Sequence, residues 1–158
     1  MSTRSGIGYD SHRLSAGRPL ILGGVEIPGA ARGLVGHSDA DALTHAVVDA
    51  LLGAAGLGDI GHHFPDTDER WRDADSIVLL AEVRALLAAE HLAVVHVDCT
   101  VICEAPKLGP HRDAMRERMA DALCVPGTAV SVKFTTNETM GFVGRGEGIA
   151  AMAVATVG

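Results

Sequence analysis

A fold mixing α-helices with β-strands, of the α/β or α+β kind, is what this sequence predicts, and three observations carry the expectation. Leu43, Val47, Val48, Leu51 and Leu52 recur with the spacing of one helix face. Between 93 and 103 the odd positions Ala93, Val95, Val97, Cys99, Val101 and Cys103 are all apolar, whereas the even ones include His96, Asp98 and Thr100; that two-residue period belongs to a strand with one dry face. The closing segment GIAAMAVATV is apolar on both faces, as a strand covered on both sides must be. With 158 residues, 47% of them hydrophobic, the chain has material for one domain, 1–158, and none for a second.

Charge and targeting signals narrow the function classes. A net charge of -7 and the absence of any basic run speak against nucleic acid or an anionic membrane as partner. MSTRSGIGYD lacks the apolar run of a signal peptide and no apolar stretch is long enough to span a bilayer, so a cytoplasmic protein is expected. Three cysteines make an odd set without a CxxC pair. Cys99 and Cys103 would stand roughly 13 Å apart along a strand, too far to bridge, so reduced structural thiols are expected.

In chain order, SGIGYDSHRL reads as a short opening strand. Asp10 and His12, two apart, point to one side of it and make two arms of a metal site, with Gly6 and Gly8 leaving the approach open. PLILGGVEIPG reads as a hairpin turning at Gly23-Gly24. The segment 33–68 holds the densest chemistry. Ser38 followed by Asp41 reads as a capped helix start, and Gly53 and Gly56 as its end. On that helix Asp41, His45 and Asp49 stand four apart, which makes His45 a third metal-ligand candidate flanked by carboxylates suited to orienting it. GDIGHHFPDTDERWRDA reads as a mobile acidic loop over a site, with Asp59, Asp66 and Asp68 available to hydroxyls or metal.

The helix expected over about 75–90 would bury Ile77, Leu80, Ala81, Leu87 and Ala88. After the strand at 93–103, Pro106, Gly109 and Pro110 enforce a loop with free backbone groups, and a helix over 112–123 would turn Met115, Met119, Ala122 and Leu123 inward. A further strand leads to a polar Gly-rich connection in which adjacent threonines and Glu138 offer hydroxyls to a phosphate and a hard carboxylate to Mg²⁺. The doubly apolar last strand points to coverage by another subunit, hence an oligomer.

The motifs GYDSH, HSDADALTH, GDIGHHFPDTD, APK, TTNE and GFVGRGEGI follow one another in an order that resembles the 2-C-methyl-D-erythritol 2,4-cyclodiphosphate synthase family, from about Gly6 to the C-terminus. The resemblance implies a two-layer subunit with helices over a mixed four-stranded sheet and a small N-terminal hairpin, assembled as a homotrimer with sites between neighbours. It implies conversion of 4-diphosphocytidyl-2-C-methyl-D-erythritol 2-phosphate to the cyclic diphosphate with release of CMP. Asp10, His12 and His45 would hold zinc, and Glu138 would hold Mg²⁺ or Mn²⁺. His37 and Thr136 would stabilise the transition state. Ser38 would bind substrate, and Asp59, Ile60, Gly61, Phe64, Asp66 and Asp68 would cover ribose and methylerythritol hydroxyls. Cys103, Ala105, Pro106, Lys107, Leu108, Gly109 and Thr135 would frame the cytidine. Phe142 and Arg145 match a trimer-cavity site for an isoprenoid diphosphate. Cys103, Glu104 and Phe134 depart from the family's usual alanine, glutamine and alanine.

Overall fold

Gly6 and Gly8 set how closely the two layers of the molecule approach. In the computed structural model, which describes residues 2–158, both glycines lie in strand β1 (Arg4–Ala16). A side chain on Gly8 would overlap the Ala46 carbonyl oxygen, and one on Gly6 the Ala50 carbonyl oxygen. Those carbonyls belong to helix α1 (Ala42–Ala55), which therefore lies directly against the strand backbone. The glycines make room for a helix, not for an ion as the sequence suggested.

Strand β1 runs for 13 residues, longer than expected. The hairpin at Gly23-Gly24 is present as β2 (Ile21–Leu22) and β3 (Val25–Glu26), with both glycines at positive φ as the tight turn requires. A three-residue strand, β4 (Arg32–Leu34), pairs antiparallel with the end of β1. Helix α1 is capped by Asp41, whose side chain accepts from the Thr44 amide, and not by Ser38. It ends at Gly56 in the left-handed conformation, with Gly53 inside the helix. Its Leu43, Val47, Leu51 and Leu52 are fully buried, each burial worth about 1.5–3 kcal/mol.

The segment after α1 folds into a short helix α2 (Ile60–His63), capped by Asp59, and a 3-10 turn (Glu69–Trp71), capped by Asp68. The loop anticipated there has defined turns. Helix α3 (Ser76–Ala89) packs against α1 and buries Leu79, Leu80, Val83 and Leu87; the expected Ala81 and Ala88 are not on that face. Strand β5 (Val94–Ile102) keeps Val97, Cys99 and Val101 dry, but Val95 lies in the open. Helix α4 (Arg112–Leu123) buries Met115, Met119, Ala120 and Leu123 and packs on α3 and on β6 (Val130–Thr135). Helix α5 (Gly141–Gly144) leads into β7 (Gly148–Val157).

The sheet order among the described residues is β4-β1-β7-β5-β6, five strands where four were expected; the extra one is the short β4. Strands β5 and β6 pair in parallel and the other neighbours in this sheet antiparallel. Ile149, Ala151, Ala153, Ala155 and Val157 of β7 face the helical layer and are buried. The other face of the sheet is bare in the single chain. Met152 is 44% and Val154 48% exposed, and their register partners Tyr9 and Ile7 are 53% and 66% exposed. No helix among the described residues is long and apolar enough to cross a membrane.

Candidate metal centre and adjoining clefts

Close packing of α1 on β1 brings three residues together. Gly8, Asp10 and His12 alternate toward α1, and His45 comes down from the helix to meet them. Asp10 Oδ2 lies 2.8 Å from His12 Nε2 and 3.2 Å from His45 Nδ1. The two ring nitrogens are 3.4 Å apart. A tetrahedral ion with bonds of about 2.0–2.1 Å needs donor atoms roughly 3.3 Å from one another. Among the described residues this is the group of three whose donors converge.

The chemistry of the donors also fits a cation. His12 Nδ1 donates to the Val35 carbonyl at 2.9 Å, so its Nε2 turns a lone pair inward. Burial pushes the Asp10 carboxyl up, but hydrogen bonds and charge from His12 and His45 outweigh burial and hold it below the usual carboxylate value. Burial pulls the His12 imidazole down, yet the hydrogen bond and charge of Asp10, with the Val35 carbonyl, leave it above the usual histidine value. Where no metal is bound, a proton does part of the same work.

His45 is not oriented by the carboxylates one turn away. Asp41 is fully buried and spends both oxygens elsewhere, accepting from Gly23 N, Gly24 N, Thr44 N and Thr44 Oγ1 at 2.7–2.9 Å. It ties the β2–β3 hairpin to the start of α1. Burial raises its carboxyl, and the Thr44 amide offsets only part of that. Asp49 accepts from the Ile60 amide at 2.7 Å and anchors α2. The groups that do meet His45 Nε2 are Ser76 Oγ at 2.8 Å and Ser38 Oγ at 3.2 Å.

The triad opens on a cleft of about 490 Å³. Of the expected site residues, His37, Ser38, Ile60, Gly61, Phe64 and Asp66 line it. Asp59 and Asp68 do not. Asp59 caps α2, while Asp68 caps the 3-10 turn and pairs with Arg70 at 2.6 Å, which holds its carboxyl below the usual value. Trp71, unanticipated, lines the cleft and stands edge-on to Phe64 with ring centroids 5.0 Å apart. It is the chain's one tryptophan and sits in an otherwise polar segment, a signal that was present in the sequence.

A second cleft, of about 370 Å³, is lined by Cys103, Pro106, Lys107, Leu108, Gly109, Thr135 and Thr136. It shares no residue with the first. Ala105 lines a separate small concavity near Arg32. Arg112, missed as a site residue because it opens a helix, holds its guanidinium 5.2 Å from the Phe134 ring centroid, and both line the second cleft. Burial pushes the Cys103 thiol up to about 11 and the Cys99 thiol up to about 12, and both are free. Glu138 accepts from Thr136 Oγ1 at 3.3 Å and lines neither cleft. Phe142 borders a smaller concavity with Ser11 and Glu147, while Arg145 pairs with Glu147 at 2.9 Å.

Two imidazoles and a carboxylate converging beneath a cleft, where helices lie over a mixed sheet, make the chain a protein of mixed α/β fold with a candidate metal centre. The YgbB family pattern matches residues 3–158, and the chain belongs to that family. It is 61% identical over 154 residues to the 2-C-methyl-D-erythritol 2,4-cyclodiphosphate synthase of Methylobacillus flagellatus, an alignment covering 98% of this chain and 96% of that protein. To the synthase of the same name from Symbiobacterium thermophilum it is 62% identical over 152 residues, 96% of each chain. A solved 2C-methyl-D-erythritol-2,4-cyclodiphosphate synthase in its CDP-bound form superposes with a TM-score of 0.89 at 41% identity, over 98% of this chain and 100% of that one. The bifunctional IspDF from Campylobacter jejuni superposes with a TM-score of 0.94 at 38% identity over 99% of this chain, which spans 42% of that longer protein.

Proposed function

We propose that the chain converts 4-diphosphocytidyl-2-C-methyl-D-erythritol 2-phosphate to 2-C-methyl-D-erythritol 2,4-cyclodiphosphate with release of CMP, a step of non-mevalonate isoprenoid precursor synthesis. The observation that carries this reading is the Asp10–His12–His45 donor set opening on a cleft, in a chain about three-fifths identical to synthases of that name. The chain works as one domain, as a cytoplasmic homotrimer. The bare apolar sheet face around Tyr9 and Met152 supports assembly, and so does the division of the expected contacts between two clefts, which neighbouring subunits would complete for one another.

The reaction is a phosphoryl transfer in which the substrate's own 2-phosphate attacks the β-phosphorus and CMP leaves. The protein's task is to fold the substrate for in-line attack and to neutralise charge. A protein nucleophile is not needed, and the thiol facing a cleft, Cys103, is held protonated by burial. Asp10, His12 and His45 would hold zinc, which supplies Lewis acidity toward the β-phosphate. Glu138, an oxygen donor beside Thr136, suits Mg²⁺ or Mn²⁺, a hard ion that screens the diphosphate charge.

His37 and Thr136 would donate to the transferring phosphoryl group. Ser38 and the turns at 59–68 would cover the sugar hydroxyls. Backbone groups over 103–109, with Thr135, would frame the cytosine. Phe142 and Arg145 would meet an isoprenoid diphosphate in the trimer's central cavity. Incubation with the substrate followed by phosphorus NMR tests the reading, with a cyclic diphosphate and CMP as the expected products. A linear phosphate carrying a water oxygen would make the chain a hydrolase, and an inert zinc-loaded trimer would make it a structural protein.

A further inference from the structure

His45 meets, on the side away from the triad, a residue that lines no part of the metal-bearing cleft. Ser76, the first residue of α3, is fully buried, and its Oγ lies 2.8 Å from His45 Nε2. The same hydroxyl donates to Asp39 Oδ1, while Asp39 Oδ2 accepts from the Ser76 amide at 2.9 Å. Asp39 Oδ1 also accepts from the Asp41 amide at 3.1 Å. Asp39 is thus surrounded by donors.

A serine hydroxyl has one proton, and here it goes to the carboxylate, the stronger acceptor. Only lone pairs of Ser76 Oγ are then left for His45. The imidazole must present Nε2–H to them, and Ser38 Oγ, 3.2 Å from the same nitrogen, offers a second acceptor. A histidine with its proton on Nε2 has a bare lone pair on Nδ1, the atom 3.2 Å from Asp10 Oδ2 and 3.4 Å from His12 Nε2. In the opposite tautomer Ser76 would have to donate to His45, leaving its oxygen pressed against Asp39 without a proton between them.

We propose that Asp39 and Ser76 are positioning residues that fix His45 in the Nε2–H tautomer, so that Nδ1 is ready to ligate a metal ion without a tautomer switch. The relay links three segments: the turn before α1, the start of α3 and the ligand on α1. Because α3 delivers the serine, metal affinity becomes coupled to the docking of α3 on α1.

The inference rests on the metal-site reading above, and the test separates the two. Zinc alone is titrated into the full chain against a chelating dye. The wild type should bind one ion per chain, and failure to do so would remove the metal-site reading itself. Ser76→Ala should weaken zinc binding about 10- to 100-fold, the range found for groups that orient metal-bound histidines. Ser76→Thr, which keeps a hydroxyl, should recover most of the affinity. Nitrogen-15 NMR of the metal-free protein at about pH 8, above the ordinary imidazole range, should show His45 protonated on Nε2 in the wild type and a mixture of tautomers in Ser76→Ala. Thermal melts of both variants report whether α3 stays docked. A folded Ser76→Ala protein with wild-type zinc affinity would overturn the relay, and so would a wild-type His45 carrying its proton on Nδ1.

Discussion

The pairing of Asp10 with His12 has a pH signature that the metal-free protein should display. The His12 imidazole lies above its ordinary value of 6.5, so its contribution to stability is complete below that pH and is lost as pH rises through the raised folded value. Asp10 lies below its ordinary 3.8, so its contribution is present above 3.8 and is lost as pH falls through the lowered folded value. Chelator-treated protein unfolded in urea from about pH 5 to about pH 9 should therefore lose stability above 6.5. His12→Ala should lack that decline. Zinc affinity should rise through the same window, because the metal takes the place that the His12 proton vacates. A flat stability profile in metal-free wild type would rule out the ion pair. At this scale the convergence of the donors was legible in part, since Asp10 and His12 are two apart on a strand and point one way. What orients His45 was not legible. Asp41 and Asp49 look right on a helical wheel, yet each is claimed by backbone amides of another segment, and the actual partner, Ser76, lies 31 residues along the chain.

Elements can be tested through their glycines, which fall into two physical classes. Gly8→Ala would drive a methyl group into the backbone of α1 at Ala46, an atom with nowhere to retreat. A loss of about 3 kcal/mol or more is expected from such overpacking. The variant should also lose zinc, because α1 would carry His45 away from Asp10 and His12. Gly53, inside the same helix, has its nearest neighbour at 3.8 Å, so Gly53→Ala should stabilise by about 0.5–1 kcal/mol through reduced backbone freedom. Chemical denaturation of the two variants compares them, and equal effects would contradict the packing described here. The long elements were readable because their periods persist over many residues. Helix α3 was misphased, since apolar residues surround it almost completely and its buried arc is chosen by the helices it meets, α1 and α4. Strand β4 went unseen because three residues cannot establish a two-residue period, and its Gly33 is there for a close approach to the Pro19 backbone.

For the molecule as a whole, the apolar face of the sheet carries the prediction. Met152 sits beside Tyr9 in register, with Val154 beside Ile7 one step along. A carboxylate there would have to be desolvated on assembly, at a cost of several kcal/mol. Met152→Glu should therefore behave as a monomer in light scattering, where the unaltered chain should show three times its mass. The variant should lose turnover yet keep one zinc per chain, because all three donors come from a single chain. An active trimeric Met152→Glu protein would place the interface elsewhere. The last strand announced this face in the sequence by having no polar side, but the sequence did not say that the exposed patch would be shared with β1. That sharing bears on how the gene can change. On β1 the even-numbered Asp10 and His12 reach the ion site, and the odd-numbered Ile7 and Tyr9 lie on the proposed assembly face. A substitution disturbs one of these faces, whereas gain or loss of a single residue between Tyr9 and Asp10 puts both sets on one side, so that either Asp10 and His12 turn outward or Ile7 and Tyr9 turn under α1. Lineages descended from this gene should therefore vary β1 by replacement while holding its length fixed.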